Sequence, residues 1–152
     1  MGVDISIVEQ VKKTKEDFWE TVPENNKRKD YFGRDYDLFS FLAGVRGSFE
    51  PFKRCDEWKN VVLDSRLEEY KNDCFYGFNS YTLKELKRAA KKYKIMQSSQ
   101  ELDFCSNCEK EFKKENKHIN KTHPFFKQYI LKGKFYLLEG CIDYRILICF
   151  DC

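Results

Sequence analysis

The stretch DYRILICFD at residues 143–151 is apolar at nearly every position between its two aspartates. Successive side chains of a strand point to opposite faces, so a strand that is apolar on both faces belongs in the interior of a sheet. An interior strand needs neighbours, and the other end of the chain offers them. Val3, Ile5 and Ile7 alternate with Asp4 and Ser6, the period of a half-buried strand. Phe-Trp-Glu-Thr-Val at 18–22 reads as a second strand stopped by Pro23. The polar KKTKED between them fits a turn, so an N-terminal hairpin is expected. The expected fold is α+β: a single domain over 1–152, with the N-terminal β-hairpin and the C-terminal strand in one sheet packed by several helices.

The helices are read from periodicity and caps. In DYDLFSFLAGVR at 35–46, Leu38, Phe39, Leu42 and Val45 recur at helical spacing, and Asp35 is placed to N-cap the run. Asp37 lies in the first turn, where the helix dipole favours it. Arg46 is assigned to the last turn and Gly47 to a left-handed cap, with Gly44 inside the helix. Residues 24–30 and 48–56 read as loops, and 57–71 as a second helix. The aromatic run DCFYGFNSY at 73–81 reads as irregular. Thr82 and Glu85 form a capping box that opens TLKELKRAAKKY, whose buried stripe is Leu83, Leu86, Ala90 and Tyr93. Residues 95–123 form a lysine-rich insert. Pro124 starts a short helix, PFFKQYILK, that Gly133 is expected to close, with 134–138 extended as a strand.

Composition bounds the function classes. Of 152 residues, 41% are hydrophobic and 16% aromatic, too much for a disordered chain even with 35% charged. Twenty-eight basic and 25 acidic side chains leave +3, so bulk charge nominates no nucleic-acid binder. The charge is unevenly placed, however: residues 84–94 carry six basic side chains against Glu85. No apolar run approaches the roughly 20 residues of a membrane span. MGVDISIVEQ lacks the basic and apolar regions of a secretory signal, and Gly2 is only a weak myristoylation candidate. The reading is a protein of a reducing cytoplasm with no membrane partner.

Seven cysteines then have to be metal ligands, reactive thiols or core residues. Cys105 and Cys108 make one C-x2-C unit, Cys149 and Cys152 another, and two such knuckles could complete a four-thiolate zinc site. Alternatively Cys105, Cys108, His118 and His123 make C-x2-C-x9-H-x4-H, with a shorter middle gap than zinc fingers use. Cys149 and Cys152 sit on the apolar strand, where alternation drives them apart unless the strand bends. Zinc is therefore an open reading, and no cofactor is required. The two histidines, the missing nucleophile elbow and the missing phosphate loop and metalloprotease motifs leave no catalytic motif.

A binding site is the better expectation. Arg145 between apolar residues must meet a carboxylate, a carbonyl or a ligand anion. Tyr76, Phe78 and Tyr81 precede a basic helix, where aromatic faces could stack on bases. Asn79, Ser80 and the helix start at Thr82 could supply directional hydrogen bonds, and Arg34, Arg46 and Arg145 could meet phosphate. This reading places a pocket where 34–47 and 76–82 converge.

Three blocks resemble a family of small proteins of bacteriophage genomes. RDYDLFSFLAGVRG at 34–47 is similar to the family's R-x-Y-x-L-F-x-x-L-A-x-V-R block. FNSYTLKEL at 78–86 is similar to the second half of its H-S-x-S-W-L-T-L-x-E-L block, and YRILICFDC at 144–152 to its closing strand. The family's paired His and Ser before the T-L-x-E-L helix are replaced here by Gly77, Phe78, Asn79 and Ser80. Cys152 stands where the family carries Asn, which favours a strand over a zinc knuckle and leaves the 105–123 insert as the place for any metal. The resemblance implies a phage accessory protein acting in the cytoplasm of the infected bacterial host. Some such proteins sequester cyclic nucleotide signals of bacterial immunity. The implied partner is thus a cyclic or other small nucleotide. The alternative is a protein- or nucleic-acid-interaction module, stabilised by zinc, that contacts a host protein through its lysine-rich region. A homo-oligomer is compatible with either.

Overall fold

A computed structural model of the chain describes residues 3–16, 18–23, 35–47, 49–54, 70, 74–104 and 122–151. The elements are β1 (Asp4–Lys12), β2 (Glu20–Thr21), α1 (Tyr36–Ala43), β3 (Phe75–Thr82), α2 (Leu83–Phe104), α3 (Pro124–Leu138) and β4 (Asp143–Asp151). The four strands form one antiparallel sheet in the order β2-β1-β4-β3. The α+β architecture expected from the chain ends is the one observed.

β4 is interior and apolar on both sides because the sheet carries a cluster on each. Tyr144, Ile146, Ile148 and Phe150 join Val11, Tyr81 and the helices in the main core. Leu147 and Cys149 face the other way, with Val8, Phe78 and Tyr70. β1 pairs with β4 from Asp4 opposite Asp151 to Lys12 opposite Asp143.

Several boundaries differ from expectation. The second strand of the hairpin shrinks from 18–22 to Glu20–Thr21. α1 is N-capped by Asp35, whose carboxylate accepts from the Leu38 N–H, but it stops a turn early. Gly44, not Gly47, is the left-handed cap, at φ 74°, with its N–H donating to Ser40. The Ser40 hydroxyl then donates to the Phe49 carbonyl and accepts its N–H, which pulls the returning loop against α1. Val45 matched the helical period, yet it reaches the core from the turn beyond the cap.

Residues 75–82 are a regular strand, not an irregular segment. A bulge between Tyr76 and Asn79 breaks its alternation and hides it from a period-two reading. α3 runs through Gly133 to Leu138, so 134–138 is helix and not strand. Gly133 is there for closeness: an added Cβ would lie 2.7 Å from the Tyr144 ring and 2.9 Å from the Leu83 methyl. The predicted capping box is present. The Thr82 hydroxyl accepts from the Glu85 N–H, and the Glu85 carboxylate accepts from the Thr82 N–H. α2 extends beyond Tyr93 to Phe104. The expected 57–71 helix lies, apart from Tyr70, outside the described residues. No described helix is long and apolar enough to cross a membrane.

Candidate functional site

A polar row crosses the sheet on the face away from the helices. Thr21, Gln10, Arg145 and Thr82 stand opposite one another on β2, β1, β4 and β3. The Arg145 Nε–H donates to Gln10 Oε1 at 2.9 Å, and Gln10 Nε2–H donates to Thr21 Oγ1 at 3.3 Å. Gln10 is only 3% exposed, so its amide can reach few partners other than these. The Arg145 guanidinium lies 4.4 Å from the centre of the Trp19 ring, and the Lys12 ammonium 5.6 Å. A cation over an indole face is attracted by the ring's quadrupole. The interior arginine is thus satisfied by a carbonyl on its edge and an aromatic on its face. Arg145, Trp19, Lys12 and Thr21 are all half-buried. Asp143 stands across from Lys12, and Glu20 pairs with Lys13 at 3.3 Å.

The segments 35–47 and 76–82 do converge, but through packing. Asn79 Nδ2 donates to the carbonyls of Leu42 at 2.9 Å and Lys53 at 2.7 Å, and the Tyr81 hydroxyl donates to the same Leu42 carbonyl. Burial, helped by the Glu85 charge, holds the Tyr81 hydroxyl far above its ordinary pKa. Lys53 in turn pairs with Glu85 at 2.7 Å. This pair and the Thr82 N–H hold the Glu85 carboxyl below its ordinary value against the opposing effect of burial. The start of α2 is therefore filled by the chain's own carboxylate.

The expected ligand residues are distributed as follows. Arg145, Thr82 and Ser80 occupy register positions on the outer sheet face. Asn79 and Tyr81 point into the main core side, Phe78 into the second cluster, and Tyr76 is exposed opposite Phe150. Arg46 lies 5.5 Å from the Tyr36 ring at the end of α1, and Arg34 is outside the described residues. Trp19, Gln10, Lys12 and Thr21 carry no sequence motif that marks them as site residues. Pairing the two chain ends in register would have put Gln10 opposite Arg145, but that register depends on where β1 begins and ends.

Of the possible zinc ligands, Cys105, Cys108, His118 and Cys152 lie outside the described residues. Cys149 is buried in β4. His123 N-caps α3, its Nδ1 accepting from the Phe125 N–H at 3.1 Å, while its Nε2–H donates to Asp35 at 2.8 Å. Both ring nitrogens are thus engaged, and two helix starts are tied together. Among the described residues no three His, Cys, Asp or Glu side chains are grouped to hold a metal.

The hydrogen bond from His123 holds the Asp35 carboxyl below its ordinary 3.8, with the Leu38 N–H helping and burial opposing. A depressed folded value means that the contribution is complete above the unfolded value and is lost as pH falls through the folded one. Asp35→Ala should therefore cost about 1–2 kcal/mol at neutral pH, as for a lost N-cap. The gap to wild type should close in strong acid. Urea unfolding over a pH series checks this, and a pH-independent gap would contradict it.

Comparison with protein-family models, with curated proteins and with solved structures returned no match.

Proposed function

We propose that the chain is a binding protein that captures a nucleotide-type ligand on the outer face of the sheet, around Arg145. The observation that carries this reading is the clamped guanidinium. Gln10 fixes its edge and Trp19 its face, so the cation is oriented before any ligand arrives. Preorganisation lowers the ordering cost of binding an anion. Arg145 and Lys12 would meet phosphate, the indole would offer a stacking surface, and Thr21 and Ser80 would add hydroxyls along the same face. In the setting that the phage resemblance implies, the ligand is a cyclic or other small nucleotide of host signalling. It is held and not turned over, and host defence is thereby blunted.

Trp19 supplies its own reporter. The chain has two tryptophans, so Trp58→Phe leaves one indole at the site. Titration with a panel of linear and cyclic nucleotides should then change the Trp19 emission saturably. Arg145→Ala should weaken the tightest binder by about 1.5–3 kcal/mol, the worth of a charge-assisted hydrogen bond. That is roughly 10- to 150-fold in Kd. Unchanged emission up to millimolar nucleotide would overturn the proposal.

A further inference from the structure

The helix layer, on the other side of the sheet, presents a second surface. α3 buries Phe125, Phe126, Tyr129 and Gly133 against the core. Its outer face leaves Leu131 57%, Phe135 56% and Leu138 88% exposed. The neighbouring α2 runs antiparallel to it, with Leu83 against Gly133 at one end and Tyr93 against Phe126 at the other. The charges of α3 and of the first part of α2 are one-sided. Residues 84–97 contain Glu85 as their one acid, and it is engaged by Lys53; residues 124–138 contain none. Lys84, Lys87 and Lys91 of α2 and Lys127 and Lys134 of α3 are exposed.

We infer that the outer face of α3, bordered by the lysines of α2, docks an acidic amphipathic helix of a partner protein. Leu131, Phe135 and Leu138 are spaced four and then three apart, the d-a-d order of a coiled-coil seam. In that frame Lys127 and Lys134 both fall on g positions, the flank whose charges choose the partner. Two positive g positions select glutamate or aspartate opposite them. A second copy in antiparallel apposition would bring lysine against lysine, which disfavours it. Nucleic acid would use the lysines but gain nothing from two exposed leucines. A bilayer surface would gain only the few large side chains on this side of α3, Leu137 among them at 37% exposed, because Phe125, Phe126 and Tyr129 are committed to the core.

The test uses the full chain and three synthetic three-heptad helical peptides. One carries Leu at a and d with Glu at e and g, the second has Lys at e and g, and the third is a scramble of the first. Isothermal titration should find the acidic peptide bound at least about tenfold more tightly than either control. Leu131→Ser with Leu138→Ser should weaken it by about tenfold or more while circular dichroism and thermal midpoint stay unchanged. Lys127→Glu with Lys134→Glu should reverse the preference toward the lysine peptide. The proposal fails if the scramble binds as well as the acidic peptide, since that is charge alone. It also fails if the basic peptide binds equally. A dimer in sedimentation equilibrium that Leu138→Ser dissolves would assign the face to a second copy instead. Cosedimentation with phosphatidylserine vesicles that the two serine substitutions abolish would assign it to lipid.

Discussion

Gly77→Ala should lower the stability of the fold by about 2–4 kcal/mol. Two independent effects act at this residue. Its φ is 65°, a region that costs an L residue roughly 1–2 kcal/mol. A Cβ there would also sit 2.6 Å from Val45 Cγ2 and 2.9 Å from Phe150 Cδ2. Both neighbours are buried in the main core, and forcing such a core apart costs typically 1–3 kcal/mol. The reduced freedom of the unfolded chain returns about 0.4–1 kcal/mol, too little to offset the sum. Gly140→Ala calibrates the backbone part, because Gly140 has φ 103° and no atom within 4 Å of an added Cβ. Urea unfolding should give the larger loss at Gly77. Equal losses at both positions would mean that the bulge has room to relax, and the packing argument would fall. Gly77→Asn separates the effects further: Asn tolerates the left-handed region but keeps the Cβ, so it should rescue little if the contact dominates.

The same bulge explains why part of the fold was legible and part was not. β4 could be read because an interior strand is apolar at nearly every position, and no bulge disturbs it. The capping box could be read because its two hydrogen bonds involve residues three apart in the chain. β3 could not, since its alternation changes phase at Gly77 and its core-facing Asn79 is polar. The end of α3 failed for a related reason. A glycine in sequence signals a stop, whereas Gly133 marks a close approach of α3 to Tyr144, across an interface that local sequence does not contain. For the candidate site, the need of Arg145 for a partner was legible from its apolar neighbours. The identity of that partner was not, because Gln10 and Trp19 are brought to it by strand register alone.

Asn79→Ala should destabilise the protein by about 2–4 kcal/mol, by leaving buried polar groups unpaired. Asn79 is 2% exposed and makes three hydrogen bonds, to the Leu42 and Lys53 carbonyls and from the Ser80 N–H at 2.9 Å. They bind the end of α1 and the loop at 49–54 to an edge strand. If Asn79 were instead held in place to meet a ligand, its removal would leave stability within about 0.5 kcal/mol and abolish binding, so unfolding and nucleotide titration on one variant separate the two roles. Asn79→Asp sharpens the test. An ionised carboxylate would face two carbonyl oxygens, so its folded-state pKa should be raised. A raised folded value means that the protonated variant is the better folded one, so its deficit should shrink as pH falls because the variant gains stability, whereas the Asp35→Ala gap closes because wild type loses it. The last check is coupling. Asn79 and Tyr81 donate to the same Leu42 carbonyl, so either loss alone leaves that oxygen one partner. Only the combination of Asn79→Ala with Tyr81→Phe strips it. The double variant should therefore lose more than the sum of the single ones, by about 0.5–3 kcal/mol, the range of residues that share one network. Strict additivity would mean that the two donors do not share the acceptor in solution, and the clamp between α1 and β3 would need another origin.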